Sequence, residues 1–317
     1  MPEQLGYAQG LGCTVAAGAL LVPGVCVGCV THEGARTGLT LVLLPPGSRG
    51  AVDVAGGAPA TRETDLLRPE NLVQGPDAVL LTGGSAFGLR AADGVMQVLA
   101  EAGRGVAVGA ARVPIVPSAA IFDLGVGDAL APTPEDGAQA ARRALEGGQA
   151  VPEGRQGAGC GATVGKALGP ERAMAGGQGA LTLTAPDGLA IGALAVVNAL
   201  GSILSHDGSV AAGPRVGSGA PTRTAPLLAA GGAVPGRPGE ATTLVLVATN
   251  ARLSKAELVR VARMAHDGLA RAIDPAHTLF DGDTVFCASC GDHPADATRV
   301  GALAAAAVAQ AIVRAVR

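Results

Sequence analysis

Thr242 and Thr243 stand where a loose, glycine- and proline-rich stretch meets an apolar run, Leu244-Val-Leu-Val-Ala248. From Gly213 to Glu240 the residues are mostly Gly, Pro, Ala and Arg with little apolar periodicity, the composition of a flexible connector. A hydroxyl residue at such a junction has two readings. Either it opens a strand, where threonine is common, or cleavage uncovers it as a new N-terminus. In the second case its own α-amino group serves as the base for its own hydroxyl. That amine suits the task, because an ordinary pKa of about 7.7–8.0 leaves part of it neutral near pH 7.

Three further groups have the chemistry to assist. Phe280-Asp-Gly-Asp-Thr284 sets Asp281 and Asp283 two residues apart, on one side of an extended chain. Carboxylates that close repel, so one stays protonated or both lean on a cation; the alternative is an ordinary Asp-Gly-Asp turn. Gly157-Ala-Gly-Cys-Gly-Ala-Thr-Val-Gly-Lys166 is a glycine-rich run ending in one of only two lysines, a candidate for a partly desolvated amine. It is not a phosphate-binding loop, because Ala167 follows where Ser or Thr is needed. Asn198, at the end of the apolar stretch Val196-Val-Asn-Ala-Leu-Gly201, either caps a chain reversal or donates to an oxyanion. Ser85 in Gly83-Gly-Ser-Ala-Phe-Gly88 misses the nucleophile-elbow pattern and reads as a helix N-cap. The five histidines form no metal- or triad-type spacing.

Composition narrows the class. With 317 residues, 48% apolar and 15% charged, the chain can bury a large core. Aromatics are 2%, without Trp, and the net charge of −3 comes with no basic cluster, which argues against nucleic acid and anionic membranes. The N-terminus does not read as a signal peptide, and apolar windows such as 189–197 are too short for a membrane span. The expectation is a cytoplasmic protein. Cys26-Val-Gly-Cys29 and Cys287-Ala-Ser-Cys290 have zinc-type spacing. Both pairs fall in or near strands, where residues i and i+3 point to opposite faces. Buried structural thiols are therefore the first reading and a zinc site the second; no metal or cofactor is expected.

Strand-like runs at 39–44, 78–81, 181–183, 189–197, 244–248 and 284–288 alternate with helical patterns at 85–101, 139–145, 302–316 and one opened by Ser254-Lys-Ala-Glu257, a capping-box spacing. The strand-helix-strand-helix tail after the connector cannot cover both faces of its own sheet. It must complete the sheet of the preceding residues, so a chain cut in the connector would remain one body.

Together these motifs resemble the self-processing N-terminal-nucleophile aminopeptidases known as P1 family (DmpA-type) peptidases. That family includes L-aminopeptidase/D-esterases, β-aminopeptidases and nylon-oligomer (6-aminohexanoate oligomer) hydrolases, the last being nearest in motif. The landmarks span nearly the whole chain and include Val22-Pro-Gly-Val25, Thr61-Arg-Glu-Thr-Asp-Leu66, Leu81-Thr-Gly-Gly-Ser-Ala-Phe-Gly-Leu89, Gly161-Ala-Thr-Val-Gly-Lys166, Val247-Ala-Thr-Asn250 and Phe280-Asp-Gly-Asp-Thr-Val285. The resemblance implies an α/β fold, an αββα sandwich of the DmpA/ornithine-acetyltransferase type. It implies a precursor cut between Ala241 and Thr242 into an α chain (1–241, with 213–241 as connector) and a β chain (242–317), and αβ units assembled as homotetramers. It assigns Thr242 as nucleophile, Asp281 and Asp283 as the carboxylates that orient it, and Lys166 and Asn198 as their companions. Phe122 stands where the family has a tyrosine near the substrate, and Ala241 where it has Asn or Gly. The implied substrate is a small peptide or amide oligomer. The alternatives are an acyltransferase of the ornithine acetyltransferase type, whose Thr-Met-Leu signature is absent, and a non-catalytic scaffold with Cys-bound zinc.

Overall fold

Strands that are apolar at every position need cover on both faces, and that requirement organises this chain. The computed structural model describes residues 10–217, 219–231 and 240–317. Its principal strands are β1 (Thr14–Ala17), β2 (Cys26–His32), β3 (Thr37–Leu43), β4 (Arg49–Val54), β5 (Thr61–Arg62), β6 (Ala78–Thr82), β7 (Ser118–Ala120), β8 (Gly177–Thr184), β9 (Ala190–Asn198), β10 (Thr242–Ala251) and β11 (Thr284–His293). The principal helices are α1 (Ala91–Glu101), α2 (Pro134–Leu145), α3 (Lys255–Ala272) and α4 (Ala297–Arg314). One sheet runs β1-β8-β9-β10-β11-β4 and the other β2-β3-β6-β7-β5.

The layers follow from the two-residue period of a strand. In β10, Leu244 and Leu246 face the second sheet, where they meet a cluster holding Val42, Leu81 and Ile121. Val245 and Val247 face the other way, onto Leu258, Val261 and Leu269 of α3 and Val308 and Ile312 of α4. On the far side, Leu39, Leu41 and Leu80 of the second sheet pack on Val95 and Leu99 of α1 and Ala140 and Ala144 of α2. The order is helices, sheet, sheet, helices, the expected αββα sandwich.

β10 joins β9 antiparallel and β11 parallel, with α3 as the crossover between β10 and β11. Strands from both sides of the Ala241–Thr242 bond therefore share the six-stranded sheet. Within the stretch read as a connector, Arg215 bridges Pro221, a short helix spans Thr224–Ala229, and the buried Thr224 hydroxyl lies 2.9 Å from that of Ser202. That part is anchored rather than loose; positions 218 and 232–239 lie outside the described residues.

The helix expected over 85–101 is two pieces, Ser85–Gly88 and α1. Ser85 is not its N-cap: Gly84 is, at φ 78°, and Ser85 itself sits at φ 54°. The helix expected at 139–145 starts five residues earlier, behind a capping box between Thr133 and Asp136, and buries one face. The one expected at 302–316 runs from Ala297, capped by Asp296. This α4 is long and apolar enough, by length and composition, to cross a membrane. Here it packs its buried face on β8, β9 and α3. Cys26 packs against the α1/α2 layer and Cys29 between the sheets, while Cys287 faces the α3/α4 layer and Cys290 the intersheet layer. Neither pair can close on one ion, and all six thiols are free.

Candidate active site

The ends of three neighbouring strands converge on one point. Thr242 opens β10 directly beside Asn198, the last residue of β9, and the Asp281-Gly-Asp283 turn leads into β11 on the other flank. The glycine-rich run brings Lys166 in from below, its backbone N–H bonded to the Leu200 carbonyl at 3.1 Å. Thr242, Asn198, Asp281 and Asp283 are each at most 2% exposed.

The chain is continuous through the Ala241–Thr242 bond, and its approach is held like an added strand. Ala241 forms a parallel bridge with Asp281. Its N–H donates to the Phe280 carbonyl at 3.3 Å, and its own carbonyl accepts from the Gly282 N–H at 2.9 Å. The Thr242 hydroxyl lies 2.5 Å from that same carbonyl oxygen. Gly282 leaves this space open: a Cβ there would stand 2.8 Å from both Thr242 Oγ1 and the Ala58 carbonyl. One residue back, the Glu240 carbonyl accepts from Lys166 Nζ at 2.7 Å and Asn198 Nδ2 at 3.3 Å.

Lys166 Nζ also donates to the Asn198 backbone carbonyl at 2.8 Å and its Oδ1 at 2.7 Å. Burial of the amine pulls it down to about 7, against the opposing charges of Asp281, Glu240 and Asp123. Asn198 is locked at both ends of its amide: Oδ1 accepts from the Thr163 N–H at 3.0 Å, and Nδ2 donates to the Phe122 carbonyl at 3.1 Å. Phe122 thus enters the site through its backbone.

The two carboxylates are divided between different tasks. Asp281 accepts from the Thr278 N–H and hydroxyl, at 3.0 and 2.5 Å, and from the Leu200 N–H at 3.4 Å. Burial, and then the charge of Asp283, raise its pKa above the ordinary carboxyl value. Asp283 accepts from the Thr243 N–H at 2.6 Å and from both the N–H and Nδ1 of His277, at 3.0 and 2.8 Å. Neither carboxylate hydrogen-bonds the Thr242 hydroxyl, so in the uncut chain they fix the backbone around it instead. Thr243 is held by its amide, and its own hydroxyl is buried without a partner. That separates the two threonines: only Thr242 has its oxygen on the neighbouring carbonyl.

Three participants were given no site role from the sequence, although Asp123 and His266 stand in stretches, Ile121-Phe-Asp-Leu124 and Ala265-His-Asp-Gly268, that resemble the family. His277 sits at φ 56°, a left-handed conformation that turns its amide and ring toward one oxygen of Asp283. Burial works against its charged form, but the bond to Asp283 outweighs it and the pKa is raised. His266 meets it edge to face, ring centroids 4.7 Å apart. Asp123, beside Phe122, is pushed up to about 6 by burial, against the Gly84 N–H that it accepts at 2.6 Å. Among the described residues no group of His, Cys, Asp or Glu is placed to hold a metal ion.

Chemically, the arrangement sets a hydroxyl against the carbonyl of its own peptide bond, with a backbone donor already on the oxygen that would become negative. Comparison with known proteins gives the family and the fold. A family model described as peptidase family S58 matches residues 21–317. An uncharacterized aminopeptidase of Mycobacterium leprae is 47% identical over 280 residues, 82% of this chain and 73% of that protein. A 6-aminohexanoate-oligomer endohydrolase of an Agromyces species is 32% identical over 315 residues, 92% of this chain and 84% of that one. Among solved structures, the L-aminopeptidase D-Ala-esterase/amidase of Ochrobactrum anthropi, described as a variant of the Ntn hydrolase fold, superposes with a TM-score of 0.63 at 19% identity. It covers 97% of this chain and 89% of that one.

Proposed function

The chain belongs to peptidase family S58 and is an amide-bond hydrolase with the Ntn-type fold, and on that premise we propose that it activates itself by cutting before Thr242. The observation that carries this reading is the Thr242 hydroxyl at 2.5 Å from the Ala241 carbonyl oxygen, which Gly282 also holds. Thr242 Oγ1 attacks the Ala241 carbonyl carbon, the C–N bond breaks, and the hydroxyl proton ends on the freed Thr242 nitrogen. Water then adds to the ester, releasing Ala241 as a carboxylate and restoring the hydroxyl. The new α-amine is thereafter the base for attack on a substrate amide.

In turnover the Gly282 N–H is the donor for the oxyanion, worth roughly 3 kcal/mol of barrier in comparable sites, while the Asn198 amide, with its N–H bonds on the Phe122 and Glu240 carbonyls, holds the neighbouring backbone. Asp283 fixes the backbone of Thr243, and Asp281 and Lys166 balance each other's charge across the site. Phe122 holds the Asn198 amide through its backbone carbonyl, and the resemblance suggests that its ring stands near the substrate where the family has a tyrosine. The substrate class is a peptide or amide oligomer, supported by the names of the relatives. Six free thiols suit a reducing cytoplasm, and the resemblance suggests that αβ units form tetramers, which sedimentation would test.

Denaturing intact mass with N-terminal sequencing tests the central step. A small fragment beginning at Thr242 supports it, and one beginning at Thr243 moves the nucleophile by a residue. A Thr242→Ala chain that is still cut would overturn it.

A further inference from the structure

Apart from the site around Thr242, we propose that the protein has a second small-molecule site, a hollow between α3, α4 and the β1–β8 edge of the six-stranded sheet. It takes an aliphatic monocarboxylate, the apolar chain seated against the sheet and the carboxylate among arginines.

The hollow follows from the pattern of α4. Ala306, Ala309, Gln310, Val313 and Arg314 recur at three- and four-residue steps and so share one face of the helix. The two alanines are too short to fill space that leucines would close. The cavity left there is about 590 Å3, inside the range of roughly 300–1,000 Å3 usual for small-ligand sites. Its other apolar walls are Val15 and Ala17 of β1, Leu181 of β8, Leu204 of the short strand Ser202–Leu204, and Ala272 at the end of α3. Leu181 is buried and pairs with Ala193, itself opposite Val247 of β10. Strand rise and spacing put this floor about 20 Å from Thr242, and none of the residues around the nucleophile lines it.

The charge of the hollow is one-sided. Arg271 lies in the last turn of α3, Arg314 ends α4 and Arg317 follows it, and all three line the cavity. Among its described lining residues there is no Asp or Glu. A cation at a helix C-terminus is ordinary; here two helices bring theirs to the same apolar space. Arg314 is fixed from outside the cavity by the Glu153 carboxylate, at 2.7 Å from Nε and 2.5 Å from Nη2. Burial, and then the charge of Arg314, lower the Arg317 pKa in spite of Glu153. Gln310 Nε2, in the same wall, is buried without a hydrogen-bond partner, a deficit that an acceptor oxygen would end. An apolar floor, gathered guanidinium groups and an orphaned donor suit an anion with an aliphatic tail. They suit a cation or a sugar poorly.

Isothermal titration calorimetry of the full chain with octanoate, 1-octanol and acetate tests this. Octanoate should bind one site per chain. Octanol, which lacks the charge, and acetate, which lacks the tail, should each bind at least about tenfold more weakly. Ala309→Trp fills the hollow from a half-buried position and should weaken octanoate by about tenfold or more, as should Arg317→Ala, which alters only an exposed side chain. Self-cleavage should be untouched in both variants. No octanoate binding, saturation at several sites, octanol or acetate binding as tightly, or unchanged affinity in either variant would overturn the inference. An absence of binding joined to an oligomer that Ala309→Trp breaks apart would give this face to a second copy of the chain instead.

Discussion

Lys166 gives the site its clearest electrostatic signature. Its amine titrates at about 7 in the folded chain against an ordinary value of 10.5, because burial disfavours the charge. Between those values the unfolded chain binds the extra proton, so this group's contribution to stability rises as pH climbs from about 7 toward 10.5 and is lost on the way down. Denaturant unfolding of Thr242→Ala, with and without Lys166→Met, should show a stability difference that widens in favour of lysine between pH 7.5 and 9.5; a constant difference would exclude it. Gly282 makes the second prediction. Gly282→Ala places a methyl 2.8 Å from Thr242 Oγ1 and the Ala58 carbonyl. Processing should slow by about 10²-fold, the scale of a misplaced reacting group, with the sheet still formed by circular dichroism. Thr242, Asp281, Asp283 and Asn198 were legible in the sequence because each adjoins the end of an apolar strand. His277 was not, because it reaches the site through a left-handed residue that no local spacing announces, and Asp123, though in a stretch that resembles the family, shows no site role until the fold brings its carboxylate near Lys166.

At the level of elements, the strands were largely legible because β9 and β10 are apolar without interruption, which only a doubly covered sheet tolerates. Helix boundaries were less so. The Thr133-Pro-Glu-Asp136 cap of α2 precedes the apolar stripe by several residues, so a reading that starts from the stripe finds only its second half. Between Ser85–Gly88 and α1, Leu89 and Arg90 keep helical dihedrals while the bonds tighten to the i−3 kind, Leu89 N–H to the Ala86 carbonyl and Ala92 N–H to the Leu89 carbonyl, a change that the side-chain pattern does not announce. The cap of α3 is a case where sequence and structure coincide, Ser254 and Glu257 bonding each other's N–H at 3.3 and 2.8 Å. Ser254→Ala should cost about 1 kcal/mol and leave processing unchanged. The cap lies past the far end of β10, about 30 Å from Thr242 by the rise of a strand. Equilibrium unfolding and a processing time course would check the two halves; slowed processing would show that the helix supports the site at a distance.

For the molecule as a whole, the position of β10 matters more than any single bond within it. It lies between β9 and β11 near the middle of the six-stranded sheet, and it begins where the chain is proposed to part. The two fragments should therefore elute together in gel filtration and separate only in denaturant; separation in native buffer would contradict the shared sheet. A subtler result follows from the same placement. A single chain that unfolds keeps its pieces tethered, and finding its way back is independent of dilution. Once cut, the central strand and its neighbours are different molecules, and regaining the sheet becomes a second-order event. Unfolded and diluted, the Thr242→Ala precursor should recover its native spectrum, while the cut protein recovers less the lower its concentration. The working enzyme thus persists through the height of its unfolding barrier, and the act that arms it also makes its assembly a single opportunity.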